Sequence, residues 1–181
     1  GVQTCALPIF LWIVEIVAVL VLGVMLAVGF GKTTVMQEGS MEPTVQAGDT
    51  LLINRAAYRF SSPKRGDIIA FKISDDQKAS THIKRIIGLP GETVQIKDGQ
   101  ILIDGKVYRE ETAFPAIENA GMADQGITLK KGEYFVLGDN RNNSEDSRFV
   151  DMGTIKKKNI IGKLWFIISP KERFGFIPNG K

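Results

Sequence analysis

From Phe10 to Phe30 the chain reads FLWIVEIVAVLVLGVMLAVGF, with Glu15 as its one charge and no proline. As a helix rising ~1.5 Å per residue this segment spans roughly 32 Å, against a hydrocarbon core of ~30 Å. A buried soluble helix of this length and apolarity is unusual. A cleavable secretory leader has a shorter apolar region, ~7–15 residues, followed by a small-residue cleavage site. Here GKTTVMQ follows instead. The expectation is an uncleaved transmembrane helix over 10–30, with Glu15 close enough to one edge to reach the headgroups. Residues 1–9, GVQTCALPI, hold no Lys or Arg, whereas Lys32 follows the segment. Flanking charge therefore does not set the orientation. Those nine residues also look unlike a native cytoplasmic flank.

Residues 31–181 form a polar remainder of ~150 residues, enough for one sizeable core. The net charge of +3 is too mild for a nucleic-acid surface, which needs basic residues gathered on one face. The densest basic run, Lys156-Lys157-Lys158, reads as a solvated loop, with anionic headgroups as its alternative partner. Cys5 and His82 are the one cysteine and the one histidine. An internal disulfide and a structural zinc site are both excluded, and no metal or cofactor is expected.

Beyond residue 34 short apolar runs alternate with turn signals. Strands are expected at Thr50–Asn54, Asp67–Lys72, His82–Ile87, Thr93–Lys97, Gln100–Ile103, Tyr134–Leu137 and Ile160–Ile168. Asp98-Gly99 and Asp104-Gly105 suit two-residue hairpin turns, whose central residues both need positive φ. Residues 112–126 read as a surface loop. The pattern predicts a mostly β domain, an antiparallel β-barrel or sandwich, behind the N-terminal transmembrane helix.

The chemistry narrows by elimination. A Ser-His-Asp triad would have to use His82. Cys5 precedes the apolar segment and cannot serve a domain that follows it. GLPG at 88–91 leads into a strand, not into a phosphate-binding helix. Serine with lysine remains. A serine hydroxyl needs a neighbouring base, and neutral lysine can be one if an apolar setting lowers its pKa from about 10.4. Lys84 lies among Ile83, Ile86 and Ile87, sharing a strand face with His82 and Ile86. Ser40 lies in EGSMEPTVQAGD, with Gly39 allowing close approach and Pro43 stiffening the turn. By themselves, Lys84 as a surface lysine and Ser40 as a turn serine remain open alternatives.

In order along the chain, Ser40-Met41-Glu42-Pro43-Thr44, the segment 65–71 (RGDIIAF), the segment 84–91 (KRIIGLPG) and the segment 138–148 (GDNRNNSEDSR) resemble the four conserved boxes of the type I signal peptidases. One box is weak; four in sequence after an apolar segment are specific. The single apolar segment is similar to the short Gram-positive forms. The resemblance implies a cell-membrane enzyme, its β-domain on the extracytoplasmic side, that cuts signal peptides from secretory preproteins close to the translocon and the lipid surface. It implies Ser40 as nucleophile and Lys84 as general base. Ser144 would orient the lysine, Asp146 and Arg148 would form a supporting ion pair, and Asp139 would belong to the same structural box. Met41, Val45 and Ile83 would line pockets for small side chains at A-x-A positions. The chain departs from the family pattern at Glu38, where some members carry a serine whose hydroxyl serves the oxyanion. A carboxylate there accepts hydrogen bonds and does not donate them. Two rival readings stay open at this point: a self-cleaving Ser-Lys protease resembling the LexA-type repressors, and a non-enzymatic β-domain that binds exported chains.

Overall fold

The computed structural model describes residues 6–74 and 79–178, so Cys5 and the flank before it lie outside the described residues. Helix α1 (Ala6–Phe30) contains the whole apolar segment. Its described side chains, residues 9–24, are all exposed, Trp12 to 68% and Val19 to 69%. Within the described residues no helix is long and apolar enough to cross a membrane.

Among the described residues twelve strands follow. They are β1 (Gly31–Val35), β2 (Thr50–Asn54), β3 (Ile68–Phe71), β4 (His82–Gly88), β5 (Thr93–Lys97), β6 (Gln100–Ile103), β7 (Lys106–Val107), β8 (Ile127–Thr128), β9 (Glu133–Leu137), β10 (Ile155–Lys156), β11 (Ile160–Ser169) and β12 (Gly175–Phe176). An eight-stranded antiparallel sheet runs β1-β2-β11-β3-β4-β9-β10, with β12 on β11, and a four-stranded sheet runs β7-β6-β5-β8. Register shifts in β11 and between β4 and β9 bend the large sheet. The expected barrel or sandwich is thus an open, curled sheet carrying a smaller one. β1 and β10 are its two ends and do not pair with each other.

The seven strands read from the pattern are all present, each end within about a residue of the expected one. Both Asp-Gly pairs turn as hairpins: φ is 51° and 74° at Asp98 and Gly99, and 49° and 74° at Asp104 and Gly105. Residues 112–126 lie mostly on the surface, but Ile117 and Ala123 are buried and pin the segment to the core beneath the small sheet. Lys156 ends β10 and the turn Lys157–Asn159 joins it to β11, with all three lysines exposed.

Three apolar clusters hold the domain. One gathers Met41, Val45, Leu51, Ile53 and Leu164 beneath β2, β11 and the segment after β1. A second joins β4 and β9 to the small sheet through Ile87, Phe135, Val94 and Ile96. The third packs Ile69, Phe71, Ile86, Val136 and Met152 on the other side. At Gly88 the two sheets touch, and a Cβ would lie 2.4 Å from Val94 Cγ2. β4 is thereby covered on both faces over its last six residues. A polar side chain at its centre is forced out of water.

Candidate active site

Lys84 is that side chain. It pairs with Ile69 of β3 across the sheet and is 1% exposed. Its Nζ donates to Ser40 Oγ at 2.6 Å, across 44 residues of sequence. Burial pushes the amine below the ordinary lysine value. Glu38, then Asp146 and Glu145, pull it back up, and Arg148 opposes them.

Ser40 is 4% exposed, in the middle of a single 3-10 turn, Gly39–Met41. The turn forms because Met41 and Val45 are drawn into the core while the chain leaves β1 extended. Asn140 holds it from outside. Its backbone N–H donates to Ser40 O at 3.1 Å, and its Nδ2 donates to Gly39 O at 3.1 Å. The expected strand-face neighbours of Lys84 divide. Ile86 continues the apolar face, while His82 is half-buried, stacks on Phe71, and has its pKa lowered by burial and then by the Lys84 charge.

The segment 138–148 wraps this pair. Asp146 and Arg148 form a buried bidentate ion pair, Nε to Oδ1 at 2.7 Å and Nη2 to Oδ2 at 2.9 Å. Arg148 also donates to the carbonyls of Asn119, Arg141 and Ser144, which closes the segment on itself. Asp146 Oδ2 accepts from the Gly138 N–H at 3.1 Å. Asp139 turns the other way and grips Arg85, the residue after Lys84, with two bonds of 2.7 Å. Ser144 borders the same cleft as Ser40. Its hydroxyl sits against Gly138 and contacts the Glu145 carbonyl at 3.4 Å, and no bond from it to Lys84 is among those of the described residues. The amine instead points its hydrogen bond at Ser40.

Gly138 is the hinge of the packing. A Cβ there would fall 2.2 Å from Ser144 Oγ and 2.4 Å from Ser40 O. Only a glycine lets the serine turn and the 138–148 segment meet. Gly138, Asn140 and Arg85 are the residues that sequence reasoning passed over as parts of the site. Arg85 carried a signal, since an arginine beside a lysine in a run of isoleucines must find a buried acid.

Two clefts adjoin at Glu38 and His82, and Ser40 borders the larger of them. One, of about 630 Å³, is bordered by Glu38, Ser40, His82, Ser144, Glu145 and Met152. The other, of about 330 Å³, is bordered by residues 34–38 and 80–83, Ile83 included. Of the three expected pocket residues, Ile83 alone borders a cleft. Met41 and Val45 are fully buried in the core, because the 3-10 turn directs the chain after Ser40 inward. Glu38 and His82 border both clefts. The Glu38 carboxylate, 63% exposed, lies 3.9 Å from Lys84 Nζ. Among the described residues no cluster of His, Cys, Asp and Glu is placed to hold a metal ion.

The chain matches the family model described as signal peptidase, peptidase S26, over residues 9–169. It is 35% identical over 173 residues to a probable signal peptidase I-2 of Synechocystis, covering 90% of this chain and 76% of that protein. It is 32% identical to signal peptidase I P of Bacillus subtilis subsp. natto, covering 90% of each. A solved signal peptidase I from Enterococcus faecalis is 33% identical, covering 57% of this chain and 97% of that one at a TM-score of 0.44.

Proposed function

Because this chain belongs to the signal peptidase family, peptidase S26, we propose that it is a membrane-anchored serine endopeptidase that removes signal peptides from secretory preproteins, with Ser40 as nucleophile and Lys84 as general base. One observation carries the assignment: a 2.6 Å hydrogen bond from the Lys84 amine to the Ser40 hydroxyl, made where the lysine is 1% exposed. In water at neutral pH a lysine amine is an ammonium ion and cannot accept a proton. In an apolar enclosure the neutral amine becomes accessible.

Neutral Lys84 accepts the Ser40 proton as Oγ bonds to the scissile carbonyl carbon. The resulting ammonium returns that proton to the leaving amine when the C–N bond breaks, leaving an acyl ester on Ser40. Lys84, neutral again, deprotonates the incoming water, which attacks the ester and restores the hydroxyl. The Ser40 N–H is the donor assigned to the oxyanion. Glu38, an acceptor, is not the second. Asp146, Arg148 and Asp139 position the segment around the dyad. Ser144 borders the cleft and contributes shape there.

The substrate is an extended segment with small residues at its A-x-A positions. It lies in the cleft bordered by 34–38 and 80–83 and adds to the strand edge there. Helix α1 is the anchor. Its apolar side chains stand exposed through 9–24, an arrangement that water disfavours by ~25 cal/mol per Å² and lipid does not. The catalytic domain then sits on the extracytoplasmic face, near the translocon.

Ser40→Ala and Lys84→Met are each expected to lower preprotein cleavage by at least about a thousandfold, with the β circular-dichroism signal retained. Undiminished turnover in either variant removes the dyad.

A further inference from the structure

Glu38 is the single carboxylate within ion-pair reach of Lys84 among the described residues, at 3.9 Å. It has extended backbone, φ −120° and ψ 152°, just before the serine turn, and its side chain makes no capping bond to that turn. The side chain is 63% exposed, so little besides the lysine charge holds it. It also stands where the two clefts meet, on the path of any chain that passes Ser40 from one to the other.

We infer that Glu38 is a positioning residue that favours the ammonium form of Lys84 in the free enzyme and is displaced when a substrate chain enters the clefts. This rests on the Ser40–Lys84 reading above. The other charges facing Lys84 do not compete for the role. Asp146 is committed to Arg148 by two short bonds. Arg148 carries the wrong sign, and His82 is kept toward its neutral form by burial and by the lysine. Glu145 borders the larger cleft and acts from farther off than ion-pair distance. Burial and Glu38 thus pull the amine in opposite directions, burial being the larger influence and Glu38 the largest against it. Entry of an extended peptide removes the second influence and leaves the first. The base is released where and when there is a bond to cut.

The pH dependence of kcat/KM reports the free enzyme, and that of kcat reports the bound one. A base works when deprotonated, so both profiles rise with pH through the pKa of Lys84. Removing a neighbouring anion lowers that pKa and moves the acid limb down. For Glu38→Gln, measured with the full-length protein in detergent on a preprotein substrate, the acid limb of kcat/KM is expected to move down by about one pH unit, the scale of one partly screened charge pair near 4 Å. The acid limb of kcat is expected to stay where it is. Glu145→Gln should move the kcat/KM limb by less. An unmoved kcat/KM limb in Glu38→Gln overturns the inference. So do equal shifts in both limbs, because they place Glu38 beside the lysine in the complex as well. Failure of the underlying dyad shows separately, as cleavage that survives Lys84→Met.

Discussion

At Lys84 the fold places a group that wants water in the middle of a strand that has none. The cost falls on stability. The folded-state pKa lies below the ordinary lysine value of 10.5, so the folded protein disfavours the ammonium form relative to the unfolded chain. The penalty is present in full below the folded-state pKa, shrinks as pH rises toward 10.5, and is gone above it. Lys84→Met keeps the volume and removes the charge. It should raise stability at pH 7 by about 1–3 kcal/mol in urea unfolding, with the gain fading as the pH approaches 10. An inactive variant that is more stable than its parent marks a residue kept for chemistry. The same substitution with unchanged stability at pH 7 would place the amine in a better solvated setting than its 1% exposure describes.

Two elements, β4 and the segment 138–148, divide the labour of holding the site. β4 supplies Lys84 on one face and Arg85 on the other, and the two side chains are fastened by different partners. The 138–148 segment answers both with Asp139 on Arg85 and Asn140 on the serine turn. Gly138 begins that segment in a space with no room for a methyl group. Gly138→Ala should therefore push the serine turn away from Lys84. The expected result is a loss of at least about tenfold in kcat and about 2 kcal/mol or more in stability, read from kinetics and denaturant midpoints. Wild-type values for both would mean that the turn gives way at no cost. The buried Asp146–Arg148 and Asp139–Arg85 pairs are local to this segment and to β4, which explains why a polar loop keeps one conformation over Ser40.

On the scale of the whole molecule, the β-domain and helix α1 do separate work. No described side chain of α1 from 9 to 24 is covered by the domain. Deleting residues 1–30 should leave a folded, detergent-independent domain that cuts a short soluble peptide with kcat close to that of the full chain. On the proposed reading of α1 as an anchor, cleavage of a preprotein held in vesicles should fall by about tenfold or more, because a tether sets the effective concentration at the membrane surface. Equal rates on the vesicle substrate would show that the helix contributes no effective concentration at the membrane. The curled sheet brings its β1 end, the serine turn and the start of β4 to two adjoining clefts. The small sheet stands apart on the far side of Gly88.

Local pattern was enough for the seven longer strands and both Asp-Gly turns, because alternation and positive-φ chemistry act over a few residues. β1 escaped that reading, since Lys32, Thr33 and Thr34 are polar and the strand is made by pairing with β2. The two-residue strands β7, β8, β10 and β12 are too short for any period to register. The motif order along the chain likewise pointed to Ser40 and Lys84 as candidates. Their meeting across 44 residues, the entombment of Met41 and Val45, the packing of Ser144 against Gly138 and the approach of Glu38 toward the lysine were decided only in three dimensions. Strand formation is a property of neighbours in sequence, whereas a pKa, a hydrogen bond and a buried side chain are properties of neighbours in space.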